Sequence, residues 1–256
     1  MFHIKGAITT LVLSLFLSSL SYGNELNKLT FITESYPPYN FETSGLLKGI
    51  AVDLLIAASN KAGSPVKRGQ IKVYPWARGY RATLEEPNHV LFATTRTKER
   101  EPLFKWAGPI AKTKIVLLAK NDNDVKINTP EDIAKYTVGT IRDDVGEQLV
   151  KALGVPDASI KPSSNADSLV KKLNTGRVDL WAYEENVARW FIKKNGLQNS
   201  DFSTVYILKE AELFYAFSQK TSDDLINQLQ KGIDEVKKTK GQISDTLYND
   251  ILSEYL

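Results

Sequence analysis

Residues 94–110 read TTRTKEREPLFKWAGPI. Five charged side chains, from Arg96 to Glu101, are followed at once by Phe104, Trp106 and a Gly-Pro pair. Residues 98–101 have the composition of a solvated helix start, yet they stand directly before what reads as a wall of a core. Either those charges only face water, or one of the arginines points inward at something anionic. The residues just before, HVLFATT (89–95), read as a strand that delivers the turn.

Working back from that turn, strand-like and helix-like patterns alternate. LTFITES (29–35) is a strand, with Leu29, Phe31 and Thr33 on one face. YPPYNF after it is a Pro-rich loop that cannot be helical. GIAVDLLIAASNKAG (49–63) is an amphipathic helix closing on Gly63, IKVYP (71–75) a strand, and WARGYRATLEE a helix. Strand-helix-strand-helix-strand implies an α/β layer architecture with a largely parallel sheet.

Working forward, IVLLAK (115–120) begins a second run. NTPEDIAKY (128–136) reads as a helix, with Thr129 as cap and Pro130 at its first position. TVGTI (137–141) is a strand, and RDDVGEQLVKALG leads into a helix ending at Gly154. SIKPS is extended, NADSLVKKLNTG helical, and VDLWAYEE a strand. LFYAFSQ (213–219) returns to strand. Ser222 caps a long helix with acids at its start and lysines at its end, an order that complements the helix dipole. ISDTLYNDILSEYL makes a last short helix.

Composition excludes several chemistries. There is no cysteine, so no disulfide, thiol nucleophile or zinc-thiolate site. The histidines are His3 and His89, which rules out multi-His metal sites and leaves His89 as an exposed turn residue. No metal or other cofactor is expected. Residues 1–23 combine His3 and Lys5, an apolar run from Ala7 to Leu20, and Ser21-Tyr22-Gly23. This is the pattern of a secretory signal peptide cleaved after Gly23. The apolar run is shorter than the roughly 20 residues that span a bilayer. The expected compartment is a periplasm. Cleavage removes Lys5 and takes the formal charge from +3 to about +2, with no basic block, so nucleic acid is not an expected partner.

Taken together, TESYPPYNF…GLLKGIAVDLL, TTRTKEREPLFKWAGPI, YTVGTIRDDVGEQLV and GRVDLWAYEEN resemble, in order and spacing, the bacterial extracellular solute-binding proteins of the polar amino acid type. The resemblance spans the whole chain after residue 23. It implies a type II periplasmic-binding-protein fold: two α/β lobes joined by two crossing strands, with a ligand held between them. Lobe 1 would comprise 24–111 plus 212–256, and lobe 2 residues 112–211. A small amino acid or related carboxylate would be captured without chemistry and handed to the membrane permease of an ABC importer, by a protein expected to be monomeric.

The same resemblance implies roles. Arg100 would hold the ligand's carboxylate, since a planar guanidinium matches its two oxygens. Arg96 competes for that role. Thr95 and Thr97 would add donors. Glu184, at the carboxyl end of a strand, would meet the ammonium, unless Glu185 points inward instead. Tyr36 and Trp76 would wall the ligand, while Trp106 and Trp181 belong to core or hinge. Where the family has small neutral residues in the second-lobe turn, this chain has Arg142, Asp143 and Asp144. Arg142 forms either a surface ion pair or a second cation in the cleft. With Arg78 and Arg100 it would favour an acidic ligand. Two alternatives use the same cleft: a sensor docking on a membrane signalling receptor, and a small dehydratase-like enzyme with Glu184 or Asp143 as general acid.

Overall fold

In the computed structural model the described residues are 25–256; the expected signal peptide, 1–23, lies outside them. The first half contains β1 (Thr30–Thr33), a hairpin of β2 (Phe41–Thr43) and β3 (Leu46–Lys48), α1 (Ile50–Lys61), β4 (Lys72–Val73), α2 (Trp76–Glu85) and β5 (His89–Thr95). β6 (Phe104–Lys120) leads into β7 (Val138–Ile141), α3 (Val145–Ala152), β8 (Ile160–Ser163), α4 (Ala166–Asn174), β9 (Leu180–Glu184) and α5 (Glu185–Lys194). β10 (Phe202–Ser218) returns to the first half, where α6 (Asp223–Lys238) and α7 (Leu247–Ser253) close the chain.

One sheet carries both halves, in the order β4-β1-β5-β10-β6-β9-β7-β8. β1 is parallel to β4 and β5, and β7 is parallel to β8 and β9, as the strand-helix alternation implied. β6 and β10, 17 residues each, run antiparallel along their length. β5 joins β10 at Leu213–Phe217, and β9 joins β6 at Ile115–Ala119. Between them, residues 112–114 pair only with residues 210–212. The two halves therefore meet through a waist of two strands, which bends more easily than a flanked sheet.

Strand alternation divides the second half's core. In β9, Trp181 and Tyr183 face the large cluster that continues into the first half, while Leu180 and Ala182 face a smaller one with Leu117, Val138 and Val150. At the start of α6, Ser222 accepts from the Asp224 N–H, as its position implied.

Several elements depart from the sequence reading. Residues 98–101 form a single turn, not a helix: Thr97 O accepts from the N–H groups of Arg100 and Glu101, and a short 3-10 segment, Glu101–Leu103, leads into β6. Pro102 cannot donate in a helix, and the alternating residues after it belong to a strand. Pro130–Lys135 is likewise 3-10 rather than α. α5 follows β9 without a loop because Glu184 caps it, accepting from Val187 N at 2.8 Å.

The Gly108-Pro109 pair, which reads as a bend, lies inside β6. Here Gln230 of α6 takes over ladder duty. Gly108 N donates to Gln230 Oε1 at 2.8 Å, and Gln230 Nε2 donates to Gly108 O at 2.9 Å. Gly108 has φ 152°, and a Cβ there would lie 2.7 Å from the Phe214 ring. Gln230→Ala should lower stability by about 1–2 kcal/mol, since it leaves both groups unpaired. Chemical denaturation with an unchanged slope reads this.

Candidate functional site

The opening turn places Arg100 inward. Its side chain is 1% exposed, the only fully buried lysine or arginine among the described residues. Nε donates to Gln148 Oε1 at 3.0 Å, Nη1 to Thr95 O at 3.3 Å and Nη2 to Asp143 O at 3.4 Å. Two of these three acceptors belong to the β7–α3 region, so the guanidinium bridges the two halves. It lies 5.2 Å from the ring centroids of both Trp76 and Tyr80, which wall it off from water. The acceptors are neutral and two of the bonds are long, so a carboxylate would be a far stronger partner.

Asp143 is the second-half hub, through its backbone. Its φ of 60° turns the carbonyl toward the first half, where it accepts from Trp76 Nε1 at 2.9 Å as well as from Arg100. The next residue, Asp144, occupies the N-cap position of α3 without a side-chain cap hydrogen bond and is 4% exposed. Asp144 Oδ1 stands 4.0 Å from Arg100 Nη2, and Oδ2 is buried without a hydrogen-bond partner. Burial raises the Asp144 carboxyl above its ordinary value, against the pull of Arg100. Glu34, at the end of β1, is half-buried beside them. Burial, reinforced by the charge of Asp144, holds its carboxyl well above the usual range, with Arg100 pulling the other way.

Glu184 lies at the carboxyl end of β9, wholly buried. Oε1 accepts from Tyr39 OH at 3.1 Å, across the halves, and from Asn186 Nδ2 at 3.4 Å, while Oε2 accepts from Val187 N. Burial pushes its carboxyl up to about 7, although those donors favour the charged form. Glu185 faces away, pairing with Lys114 at 3.1 Å and Arg189 at 3.2 Å. Tyr36 is buried between the acids, 5.5 Å from Tyr183 edge to face and 5.7 Å from Tyr39. Burial, then the charges of Asp144 and Glu184, keeps its hydroxyl protonated.

The structure thus gathers Tyr36, Trp76, Thr95, Arg100 and Glu184 at the junction of the halves. Thr95 is buried there, and its carbonyl accepts from Arg100. The other expected site residues lie elsewhere. Arg78 is exposed and stacks on Tyr74 at 3.9 Å. Arg142 and the Asp143 side chain are exposed, and with Arg78 and Arg81 they line an outer groove between α2 and the turn before α3. The reason is geometric: the left-handed turn at Asp143 sends its carbonyl inward, and its own side chain and that of Arg142 out, while Asp144 turns in. Arg96 is bound outside by both oxygens of Glu101, at 2.7 and 2.6 Å. The expected trio of arginines reduces to one, facing Asp144 and Glu34, with Glu184 a third acid at the junction. A cavity of about 250 Å³, reached by Glu34 of this cluster but not by Arg100, Asp144 or Glu184, lies between Glu34, Tyr74 and Pro75 on one side and Asn165, Tyr183 and Phe191 on the other. Its walls come from both halves, and its size suits an amino acid.

The model of the bacterial extracellular solute-binding proteins, family 3, matches residues 29–249. The chain belongs to that family. This solute-binding protein is 22% identical over 227 residues to a "Probable histidine-binding protein" of Campylobacter jejuni, covering 86% of this chain and 81% of that one. Among solved structures, a histidine kinase sensor domain with similarity to periplasmic binding proteins superposes with TM-score 0.77 at 19% identity, covering 90% of this chain and 97% of that one. An ancestral arginine-binding protein bound to arginine gives TM-score 0.72 at 23% identity, with 91% and 100% covered. These likenesses establish the type II periplasmic-binding fold. Among the described residues no helix is long and apolar enough to cross a membrane.

Sequence reasoning on this solute-binding protein missed Glu34, Tyr39, Tyr80, Gln148 and the inward role of Asp144. The pattern offered partial signals: Asp144 stands at the cap position of α3, and Gln148 one turn later. Nothing local marked Glu34 or Tyr39, whose partners Arg100, Asp144 and Glu184 are distant in sequence.

Proposed function

We propose that this chain is a periplasmic receptor that captures an amino acid of net positive charge and passes it to the permease of an ABC importer without altering it. The two lobes, 24–111 with 212–256 and 112–211, close on the ligand about the two-stranded waist. One observation carries the reading: a single buried guanidinium, Arg100, faces Asp144 and Glu34 at the lobe junction, where Glu184 adds a third acid. Arg100 takes the α-carboxylate. The surplus of acids over cations calls for more than one cationic group on the guest, because a nearby cation offsets the cost of charging a buried carboxyl. This replaces the acidic ligand that three inward arginines would have favoured. The histidine- and arginine-binding relatives support the same class.

The test is a thermal-shift screen of the mature chain with the twenty amino acids and with dicarboxylates, followed by calorimetry. Basic amino acids should raise Tm by about 5–10 °C at a hundredfold excess over Kd. A response to dicarboxylates alone would reverse the charge assignment. Mass spectrometry of recovered ligand should find it unchanged; a product would make the protein an enzyme. Likeness to the kinase sensor domain favours a second reading, in which the same closure signals to a membrane receptor. Affinity capture of a permease or of a sensor kinase by the ligand-bound form separates the two.

A further inference from the structure

We propose that Asp144, not Glu184, is the carboxylate that receives the α-ammonium of the bound amino acid in this chain. The proposal rests on the amino-acid reading above and concerns which acid completes the site. An α-amino acid hangs its amine and carboxylate on one carbon, so the nitrogen lies within about 2.5 Å of the carboxyl carbon. Once the carboxylate is docked on Arg100, the ammonium must sit close to that guanidinium. The acid that meets it must therefore be a near neighbour of Arg100.

Asp144 meets this condition. Oδ1 is 4.0 Å from Arg100 Nη2, and Oδ2 is buried without a hydrogen-bond partner, with only the nearby Val145 and Gly146 N–H groups favouring its charge. A buried carboxylate oxygen without a donor is costly, and an ammonium supplies three donors. The Thr95 carbonyl, already 3.3 Å from Arg100 Nη1, offers a second acceptor on the opposite half. The left-handed turn at Asp143 sets Asp144 in this position, at the start of α3.

Glu184 is engaged otherwise. Both its oxygens already accept, from Tyr39 OH, Asn186 Nδ2 and the Val187 N–H. Releasing them would uncap α5 and break a bond between the halves. Its charge contributes to the field of the junction, while its geometry serves the helix and the closed arrangement. On this view the replacement of small neutral residues by Arg142-Asp143-Asp144 in the second-lobe turn moves the ammonium pole from β9 to the start of α3.

The experiment pairs each ligand with its desamino analogue: L-arginine with 5-guanidinopentanoate, and L-histidine with 3-(imidazol-4-yl)propanoate. Calorimetry is run on the wild-type mature chain and on Asp144→Asn, Asp144→Ser and Glu184→Gln. Asn and Ser both cap helices well, so α3 is retained, and circular dichroism confirms folding. The wild type should prefer the amino acid over its analogue by about 30-fold or more. Both Asp144 variants should reduce that preference to near unity, with the analogue's affinity within a few-fold of wild type. Glu184→Gln should weaken both members of a pair alike and keep the ratio. A preserved ratio in the Asp144 variants, or its collapse in Glu184→Gln, overturns the proposal while leaving the amino-acid reading intact. A wild-type chain that binds no amino acid in the screen overturns both.

Discussion

Arg100→Ala is expected to abolish ligand binding. Losing a buried, hydrogen-bonded charge partner costs about 2–5 kcal/mol, or roughly 30-fold to several thousandfold in Kd. Arg100 stands at the high end of that range for two reasons. It is the only buried cation at the junction, so no neighbour can take over the carboxylate. It is also enclosed by Trp76 and Tyr80, so water cannot readily replace it. Arg100→Lys should recover only part of the loss, because an ammonium lacks the planar fork that matches two carboxylate oxygens. The same substitution removes three bonds between Arg100 and its surroundings, two of them to the other half. The unliganded protein should therefore open more readily, which small-angle scattering would show as a larger radius of gyration. Calorimetry with a ligand from the amino-acid screen measures the binding effect, and an unchanged Kd removes Arg100 from the site.

The second large effect is a pH-dependent stability that Glu184→Gln should remove. Burial raises the Glu184 carboxyl to about 7 in the fold from an ordinary 4.5, so between those values the folded state binds more protons than the unfolded state. Stability from this group is complete below about pH 4.5 and is lost as pH rises through 7. The span of about 2.5 units corresponds to about 3 kcal/mol. Glutamine has no charge to bury and keeps an oxygen for the Val187 N–H. Near pH 5 the variant and the wild type should be about equally stable. At pH 8 the variant should be the more stable unliganded protein by about 3 kcal/mol, with the gap growing between. Urea titrations at a series of pH values read this directly, and parallel profiles would show that Glu184 is not a buried titrating acid. A cationic ligand should act in the opposite sense on the wild type. It favours the charged acids, so its affinity should fall as pH drops below 7.

Much of the architecture was legible because it is written in short-range patterns. The alternation of β1, α1, β4, α2 and β5 shows in periodicity, turn glycines and prolines, each of which acts within a few residues. The waist was harder. β6 is interrupted at Gly108-Pro109, where backbone partners come from Gln230, more than 100 residues away. No local reading can see that substitution of a side chain for a ladder strand. α5 was hidden for a similar reason: its cap, Glu184, is also the last residue of β9, so strand and helix share one signal.

The site shows the same division in sharper form. Residue types and their spacing marked the arginine turn at 94–110, the acid ending β9 and the aromatic loop after β1, because those features depend on neighbours along the chain. Which arginine turns inward, which acid comes within reach of it, and what net charge the junction holds depended on the approach of segments 40 to 145 residues apart. A left-handed turn at Asp143 exposes Arg142, and a two-stranded waist brings Asp144 against Arg100. Charge is a property of residues, but whether a charge is solvated or buried belongs to the folded surface around it. The chain's letters were enough for the class of protein; the sign proposed for its guest rests on the closing of two halves.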